Sequence, residues 1–205
     1  IGDIDGDGKP DMAVASSGKG WVSVFRNICT TGSIGSGSFL PKVDFTASTG
    51  LRNIALSDID GDGKRDLVAT NSSYNLISIF RNISISGTID AGSFSPVVDF
   101  PTGTIPFGLS VGDIDGDGKP DMATANTNNI SVIRNTSISG TINTRSFGPR
   151  LDISTGSETT NIAVGDFDGD GRPELSTANF DKNTISIFRN IIPVPPLISS
   201  FTPAN

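Results

Sequence analysis

The stretch Asp3-Ile-Asp5-Gly-Asp7-Gly-Lys-Pro-Asp11 decides the fold of this chain. It places acidic side chains at positions one, three, five and nine of a nine-residue phrase. The phrase recurs at Asp58–Asp66, Asp113–Asp121 and Asp166–Glu174, so successive copies begin 55, 55 and 53 residues apart within 205 residues. A period of this length is typical of repeat architectures. We therefore treat one period as the structural unit and number the acidic stretches loops 1 to 4.

The loops carry more like charge than a folded turn tolerates alone. Four carboxylates within nine residues repel one another, which indicates that a cation lies at the centre of each loop. All the side-chain donors are oxygen atoms, and oxygen donors in a flexible loop favour Ca²⁺ over softer metals. The sequence therefore predicts Ca²⁺ as the cofactor, with four sites.

Charge and residue usage narrow the range of partners and chemistries. Of the 22 acidic residues, 16 lie in the loops, so the net charge of −7 would become about +1 with four bound Ca²⁺. The sequence contains no cluster of basic residues, so we expect no nucleic-acid partner. No stretch approaches the roughly 18 apolar residues of a membrane-inserted helix, so we expect no membrane insertion of this segment. The chain has no His and one Cys, Cys29. This excludes His-dependent triads, zinc sites with His ligands and internal disulfides.

Each unit predicts four short β-strands, because it combines period-two alternation with β-branched residues and flanking Gly, Asn and Pro. The first strand precedes the acidic loop and the second follows it. The third ends in an Arg-Asn step, and the fourth follows a Gly/Ser turn. The examples are 53–57 and 161–165 for the first strand, 67–70, 122–125 and 175–178 for the second, 22–25 and 77–80 for the third, and 39–45, 94–100 and 147–153 for the fourth.

Four antiparallel strands per period predict one blade of a β-propeller. We expect an all-β array of blades over residues 1–191, with units starting near residues 1, 53, 108 and 161. The first unit keeps only Ile1-Gly2 of its first strand and the last lacks its fourth strand. Three arrangements stay open: an incomplete ring with further blades upstream, a ring in which one terminus supplies what the other lacks, and edges completed by another chain. Residues 192–205 hold a stiff linker, Pro193-Val-Pro195-Pro196, followed by a new apolar stretch.

These residues resemble a known family. The acidic loop, its apolar flanking strands and the strand Ser-Val/Ile-Phe-Arg-Asn, as in Ser23–Asn27, are similar to FG-GAP/VCBS repeats over about residues 1–191. Such repeats form the calcium-binding blades of integrin α-subunit propellers and of bacterial secreted and surface proteins. The short, near-identical units favour the bacterial kind. The stretch Leu197–Asn205, with its Ser-Phe-Thr-Pro phrase, resembles the opening of an immunoglobulin-like IPT/TIG module.

The resemblance implies a ligand set for each loop. Side chains at positions one, three, five and nine and the backbone carbonyl at position seven hold the ion, and glycine at position six lets the backbone reverse. Glu174 replaces Asp at position nine, so we expect the fourth site to differ modestly in affinity. The expected ligands are Asp3, Asp5, Asp7, Lys9 and Asp11; Asp58, Asp60, Asp62, Lys64 and Asp66; Asp113, Asp115, Asp117, Lys119 and Asp121; and Asp166, Asp168, Asp170, Arg172 and Glu174.

Other interpretations of the loops are weaker. An EF-hand would need Glu at Val14, Ala69, Thr124 and Thr177, where none stands. A metal-free Asp-Gly turn would leave four carboxylates in needless repulsion. A catalytic carboxylate pair is conceivable, but an enzyme rarely needs four equivalent centres.

Several other positions recur. Arg26, Arg81, Arg134 and Arg189 each precede Asn, and we expect these arginines to make hydrogen bonds between blades. Among the Asn-x-Ser/Thr sequons, Asn82 and Asn135 occupy equivalent positions and are candidate glycosylation sites. Cys29 falls where other units carry Ser84 and Ser137, which predicts a partly buried thiol.

Three functions remain open at this point. The leading one is a non-enzymatic, calcium-stabilised extracellular scaffold or adhesion module of a larger surface protein, with a protein or glycan partner. The second is a filament subunit that other copies complete by strand exchange. The third is a carbohydrate-binding propeller, although Trp21 and Tyr74 do not recur across the units. Because weak calcium sites fill only where calcium is millimolar, we expect a secreted or cell-surface location.

Overall fold

The computed structural model describes residues 1–192, and the described chain forms 14 β-strands and no helix. The predicted linker and the IPT/TIG-like stretch lie outside these residues. The strands are β1 (Met12–Ser16), β2 (Trp21–Phe25), β3 (Val43–Thr46), β4 (Leu51–Ser57), β5 (Asp66–Asn71), β6 (Leu76–Phe80), β7 (Val98–Pro101), β8 (Gly108–Gly112), β9 (Asp121–Ala125), β10 (Asn129–Ile133), β11 (Leu151–Ser154), β12 (Thr159–Gly165), β13 (Glu174–Asn179) and β14 (Thr184–Phe188).

These strands form four antiparallel sheets, one per repeat. The sheets are β1-β2-β3, β4-β5-β6-β7, β8-β9-β10-β11 and β12-β13-β14, and strands that are neighbours in sequence are neighbours in space. No sheet closes into a barrel. The prediction of an all-β array of propeller-type blades is confirmed, and the four sheets of the described chain are consistent with an incomplete propeller. In the first repeat the missing first strand is reduced to one bridge between Gly2 and Asp11.

In the first three blades, the fourth strand is shorter than predicted. The predicted strands 39–45, 94–100 and 147–153 become β3, β7 and β11, with only an isolated bridge at Phe39, Phe94 and Phe147. The proline two residues after each phenylalanine explains the difference, because it has no N–H to donate to the ladder. These prolines are Pro41, Pro96 and Pro149.

Each sheet has two apolar faces because alternate side chains of a strand point to opposite sides. We call the face that packs on the following repeat the front face and the opposite one the back face. At the first junction, Val22 and Val24 of the front face share one core cluster with Leu67 and Phe80 of the next back face. The second and third junctions hold the two other clusters of the described chain.

Burial is therefore greatest in the middle of the array. All six residues of β5 and all five of β9 are buried, since a neighbouring sheet covers each face. Edge-to-face phenylalanine pairs cross the first two junctions, Phe45 with Phe94 and Phe100 with Phe147, each with ring centroids 4.7 Å apart. Such pairs contribute about 0.5–1.5 kcal/mol beyond area burial.

Candidate metal centres

Each acidic loop is the connection between the first two strands of a blade. The residue before loops 2, 3 and 4 pairs with the position-nine residue, which opens the second strand: Ser57 with Asp66, Gly112 with Asp121, and Gly165 with Glu174. Loop 1 is closed by the equivalent bridge from Gly2 to Asp11. The β-ladder therefore holds both ends of every loop, and its carboxylates are confined to one small volume.

The backbone of each loop wraps around the position-one carboxylate. In loop 1, Asp3 accepts hydrogen bonds from the N–H groups of Gly6 at 2.8 Å and Gly8 at 2.9 Å. Both glycines have positive φ, 71° and 84°, which L-residues with a Cβ adopt at a cost. Asp58, Asp113 and Asp166 accept the same bond from the glycine five residues on, at 2.9, 2.9 and 3.0 Å.

The position-nine carboxylate is buried in every loop. In loop 2, Asp66 is fully buried and accepts N–H bonds from Ile59 at 2.9 Å and Asn82 at 2.7 Å. Burial raises the pKa of Asp66 to about 7, and the neighbouring Asp60 and Asp62 push it the same way. Burial also raises the pKa of Asp11 and of Asp121. A nearby positive charge would relieve this cost of burying a carboxylate.

Each loop brings three of its four predicted carboxylates together, with one oxygen of each within 4.8 Å of the others. In loops 1, 3 and 4 the three come from positions one, three and nine, and Asp7, Asp117 and Asp170 at position five lie outside the group. In loop 2 they come from positions one, three and five, and Asp66 lies outside it. The groups are Asp3, Asp5 and Asp11; Asp58, Asp60 and Asp62; Asp113, Asp115 and Asp121; and Asp166, Asp168 and Glu174.

The arginine of the Arg-Asn step forms ion pairs with the position-three and position-five carboxylates of its own loop. In repeat 1, Arg26 forms ion pairs with Asp5 and, at 2.9 Å, with Asp7. The prediction that these arginines bond between blades is wrong for the described contacts, because every ion pair they form stays within one repeat. The third strand ends beside its own loop, so the guanidinium reaches positions three and five. Equivalent pairs join Arg81 to Asp60 and Asp62, Arg134 to Asp115 and Asp117, and Arg189 to Asp168 and Asp170.

The donor set of each loop suits a hard divalent cation. One guanidinium offsets one of the four carboxylate charges, so the loop keeps a net negative charge around a cluster of oxygens. Only oxygen is offered, from carboxylates and backbone carbonyls, and Ca²⁺ takes six to eight such donors. The backbone carbonyls of Lys9, Lys64, Lys119 and Arg172 belong to these loops, and their ligand role stays a prediction.

The asparagine of the Arg-Asn step joins consecutive repeats. Asn82 donates one side-chain N–H to the carbonyl of Arg65 in its own loop, at 2.9 Å, and the other to the carbonyl of Ile4 in the preceding loop, at 2.7 Å. Asn135 bridges Pro120 and Ile59 in the same way, and Asn190 bridges Pro173 and Ile114. Sequence reasoning missed this role; the recurrence of Asn at one position was its only signal.

The glycosylation prediction for Asn82 and Asn135 is wrong. Both side chains are fully buried, and both amide hydrogens are donated to backbone carbonyls. A glycan on that nitrogen would break the junction between repeats. Cys29 is a free, half-buried thiol, as predicted. The serines at the equivalent position of the next two repeats, Ser84 and Ser137, are buried.

The following repeat also covers the preceding loop. Gly87 donates its N–H to the carbonyl of Asp5 at 2.9 Å, and Gly140 does the same to Asp60 at 3.2 Å. Asp5 and Asp60 are buried in consequence, whereas Asp168 of loop 4 is exposed. The four centres are therefore alike in donors and unlike in burial.

Comparison with known proteins agrees with the repeat structure. A family model described as an FG-GAP-like repeat matches three overlapping ranges, residues 3–69, 58–124 and 113–176. Each range runs from one acidic loop into the second strand of the next repeat. No curated protein matched the chain. In the part of the chain that the structure describes, no helix has the length and apolar character needed to cross a membrane.

Proposed function

The chain belongs to the FG-GAP-like repeat family, and from this membership we propose that it is a non-enzymatic scaffold or adhesion module stabilised by Ca²⁺. Repeats of this family are typical of extracellular and surface proteins with β-propeller-like modules. The proposed setting is accordingly outside the cell, where calcium is available at millimolar concentration. The proposed partner is a protein or a glycan of a cell surface.

One observation carries the proposal: the acidic loops are part of the contacts between repeats. The carbonyls of Ile4 and Asp5 in loop 1 accept hydrogen bonds from Asn82 and Gly87 of the next repeat. A loop that repels itself would move these carbonyls away from their donors. Ordering the loop therefore also orders the junction that follows it.

The bound cation supplies positive charge at the centre of the loop. The carboxylates at positions one, three, five and nine would hold it, with the carbonyl at position seven. The arginine of the Arg-Asn step keeps the position-three and position-five carboxylates oriented, because it forms an ion pair with one oxygen of each. In loop 1, the backbone N–H groups of Ile4 and Asn27 hold the buried position-nine carboxylate of Asp11.

The expected gain in stability is substantial for an array of this size. A cation that binds only the folded state stabilises it by RT ln(1 + [L]/Kd), about 1.4 kcal/mol per site at ten times Kd. Four sites would contribute about four times as much if they fill independently. This gain is comparable to the whole stability of a small domain.

Thermal unfolding tests the proposal. We expect the melting temperature in 5 mM Ca²⁺ to exceed that in excess chelator by about 10 °C or more, because each kcal/mol shifts a domain of this size by about 2–4 °C. Asp58→Asn with Asp60→Asn should reduce the shift by about a quarter. The matched control is Asp44→Asn with Asp99→Asn, which removes two carboxylates outside the loops. Equal melting temperatures in calcium and chelator would refute the proposal.

The carbohydrate-binding alternative finds little support in the described residues. Trp21 lies beneath the ammonium group of Lys42, 5.1 Å from the ring centroid, and Tyr74 is an isolated exposed ring in a turn. A lectin propeller repeats its sugar platform from blade to blade, and these two rings do not form one.

A further inference from the structure

The connection between β7 and β8, residues 102–107, contains a strained residue. Ile105 has a positive φ of 53°, which is rare for any residue with a Cβ and rarer for a β-branched residue that precedes a proline. Gly50, one 55-residue period earlier, has a φ of 96°, which glycine adopts without cost. Ile105 therefore occupies a backbone position at which its side chain costs free energy.

Packing within the described chain offsets little of this cost. Ile105 is 40% exposed, and it belongs neither to the three core clusters of the described chain nor to the residues that pack against them. The β5–β6 turn holds it in place: the side-chain oxygen of Asn75 accepts the N–H of Ile105 at 2.8 Å, and the Asn75 carbonyl accepts that of Thr102 at 2.9 Å. Strain that hydrogen bonds fix in this way clusters at binding sites.

The same turn and connection present two aromatic rings. Tyr74 precedes Asn75 in the β5–β6 turn and is 58% exposed. Phe107 follows Ile105 by two residues, is half-buried, and also lies outside the three core clusters. We call Tyr74, Ile105, Phe107 and Arg52 the turn patch. It lies at the ends of the strands, opposite the acidic loops, and repeats stack through the faces of their sheets, so stacking leaves it uncovered.

Arg52 gives the turn patch a positive charge. Its guanidinium lies over the Phe107 ring, with Cζ 5.8 Å from the ring centroid, and its Nε donates to the Ser72 hydroxyl at 3.0 Å. Arg52 is exposed and forms no ion pair with the described residues. The three stretches that build the patch, 47–53, 70–75 and 101–108, contain no Asp or Glu. The patch therefore has one uncompensated positive charge beside an apolar surface.

We propose that the turn patch binds an extended segment of a partner protein that carries a carboxylate two residues from an apolar side chain. Arg52 binds the carboxylate through its two terminal nitrogens, a geometry that suits guanidinium–carboxylate pairs. Side chains two residues apart in an extended segment point the same way, so the apolar one reaches Ile105 and Tyr74. Because the chain is proposed above to be an adhesion module, the turn patch is the contact of that module with its partner. The strained element is aliphatic, which favours a protein over a sugar that stacks on rings.

Titration of the isotopically labelled full chain in 5 mM Ca²⁺, followed by NMR, tests the proposal. The probe is the peptide acetyl-Gly-Leu-Gly-Asp-Gly-amide, and its matched control carries Asn in place of Asp. We expect the probe to shift the backbone amides of Asn75 and Ile105 with half-saturation at about 1–10 mM, which is ordinary for so few contacts. The Asn peptide should bind at least fivefold more weakly, because it lacks the charge that Arg52 binds.

Two variants separate binding from folding. Arg52→Gln should remove the difference between the two peptides, whereas Arg145→Gln, at an exposed arginine between β10 and β11, should leave it unchanged. Ile105→Asn should weaken probe binding at least threefold and change the melting temperature in calcium by less than about 3 °C, because Asn tolerates a positive φ. Ile85→Asn, at an exposed isoleucine between β6 and β7, should bind the probe like wild type.

Absence of shifts in the turn patch at 10 mM probe would overturn the proposal. So would equal binding of the two peptides to the wild-type chain, or a loss of more than about 3 °C in Ile105→Asn, which would show that packing retains the side chain. A hyaluronan tetrasaccharide that shifts the same amides more strongly than the probe would make the surface a glycan site and overturn it too. None of these results depends on the melting shift between calcium and chelator that tests the proposed function.

Discussion

At the scale of single residues, the position-nine carboxylate carries the largest electrostatic cost in each loop. Asp66 is the first residue of β5 and is fully buried, and its two N–H donors only partly replace water. The pKa of Asp66 is raised from 3.8 to about 7. Between these two pH values, the metal-free folded protein keeps a proton on Asp66 that the unfolded chain would release. If Asp66 is a metal ligand as the sequence predicts, a proton and the cation would compete for this buried group.

The metal-free protein should lose stability as the pH rises from 6 to 8. The folded-state pKa of Asp66 is raised above its ordinary value of 3.8, so the folded state binds more protons than the unfolded state in this range. The stabilisation is full below about pH 4 and is lost as the pH passes about 7, with a change of about 1 kcal/mol between pH 6 and 8. Urea unfolding in chelator measures it.

The control is Asp66→Asn, which should flatten this part of the pH profile. The chain contains no His, so few other groups titrate between pH 6 and 8. If the free energy of unfolding in chelator instead rises from pH 6 to 8, the raised pKa of Asp66 is contradicted.

At the scale of elements, the Arg-Asn step at the end of the third strand serves two neighbours. Its arginine orients the loop of its own repeat, and its asparagine reaches the loop of the preceding repeat. Adjacent residues of a strand point to opposite sides, so one step places a cation beside one loop and an amide beside another. The third strand is thus the element through which consecutive loops are connected.

Asn82→Ala should destabilise the protein more than Asn27→Ala. Asn82 bonds a buried carbonyl in the preceding repeat and a partly buried one in its own, whereas Asn27 bonds one carbonyl in its own repeat. Leaving an additional buried acceptor unsatisfied costs about 1–3 kcal/mol. Urea unfolding of the two variants gives the difference. Equal losses would show that the bond between repeats adds nothing.

At the scale of the whole molecule, stability is distributed along a line. Each sheet touches only its neighbours, so local stability follows the number of covered faces. The sequence Ile-Ser-Ile-Phe appears in both β6 and β14, buried in the first and largely exposed in the second. In the described chain β6 pairs with two strands, and β14 pairs with β13 alone.

Amide hydrogen exchange in β14 should be at least tenfold faster than in β6 at low protein concentration. The shared sequence makes the intrinsic exchange rates of these amides nearly equal, so the ratio reports on structure. It corresponds to a difference in opening free energy of about 1.4 kcal/mol. Mass spectrometry of peptides covering 76–80 and 184–188 measures both. Equal protection in the two strands would refute a graded array.

The sequence was informative where one residue type has one use. The carboxylate spacing predicted the loops, and alternation predicted the strands, because both follow from local geometry. The roles of the arginine and the asparagine that follow the third strand were predicted wrongly. Either side chain can reach its own repeat or a neighbouring repeat, and only the packing of the sheets decides which repeat it contacts. The fourth strand was predicted too long because the alternation continues through Pro41, Pro96 and Pro149, where the ladder cannot.

The repeated junction has a consequence for how such chains change over generations. Every blade of the described chain carries one face of each kind, and all three internal contacts include the same asparagine bond to the preceding loop. Unequal recombination between two copies of the coding sequence inserts or deletes a whole period, and the new neighbours still meet as front and back. Array length can therefore vary in a lineage without any compensating substitution, and selection can act on the reach of the molecule independently of its fold.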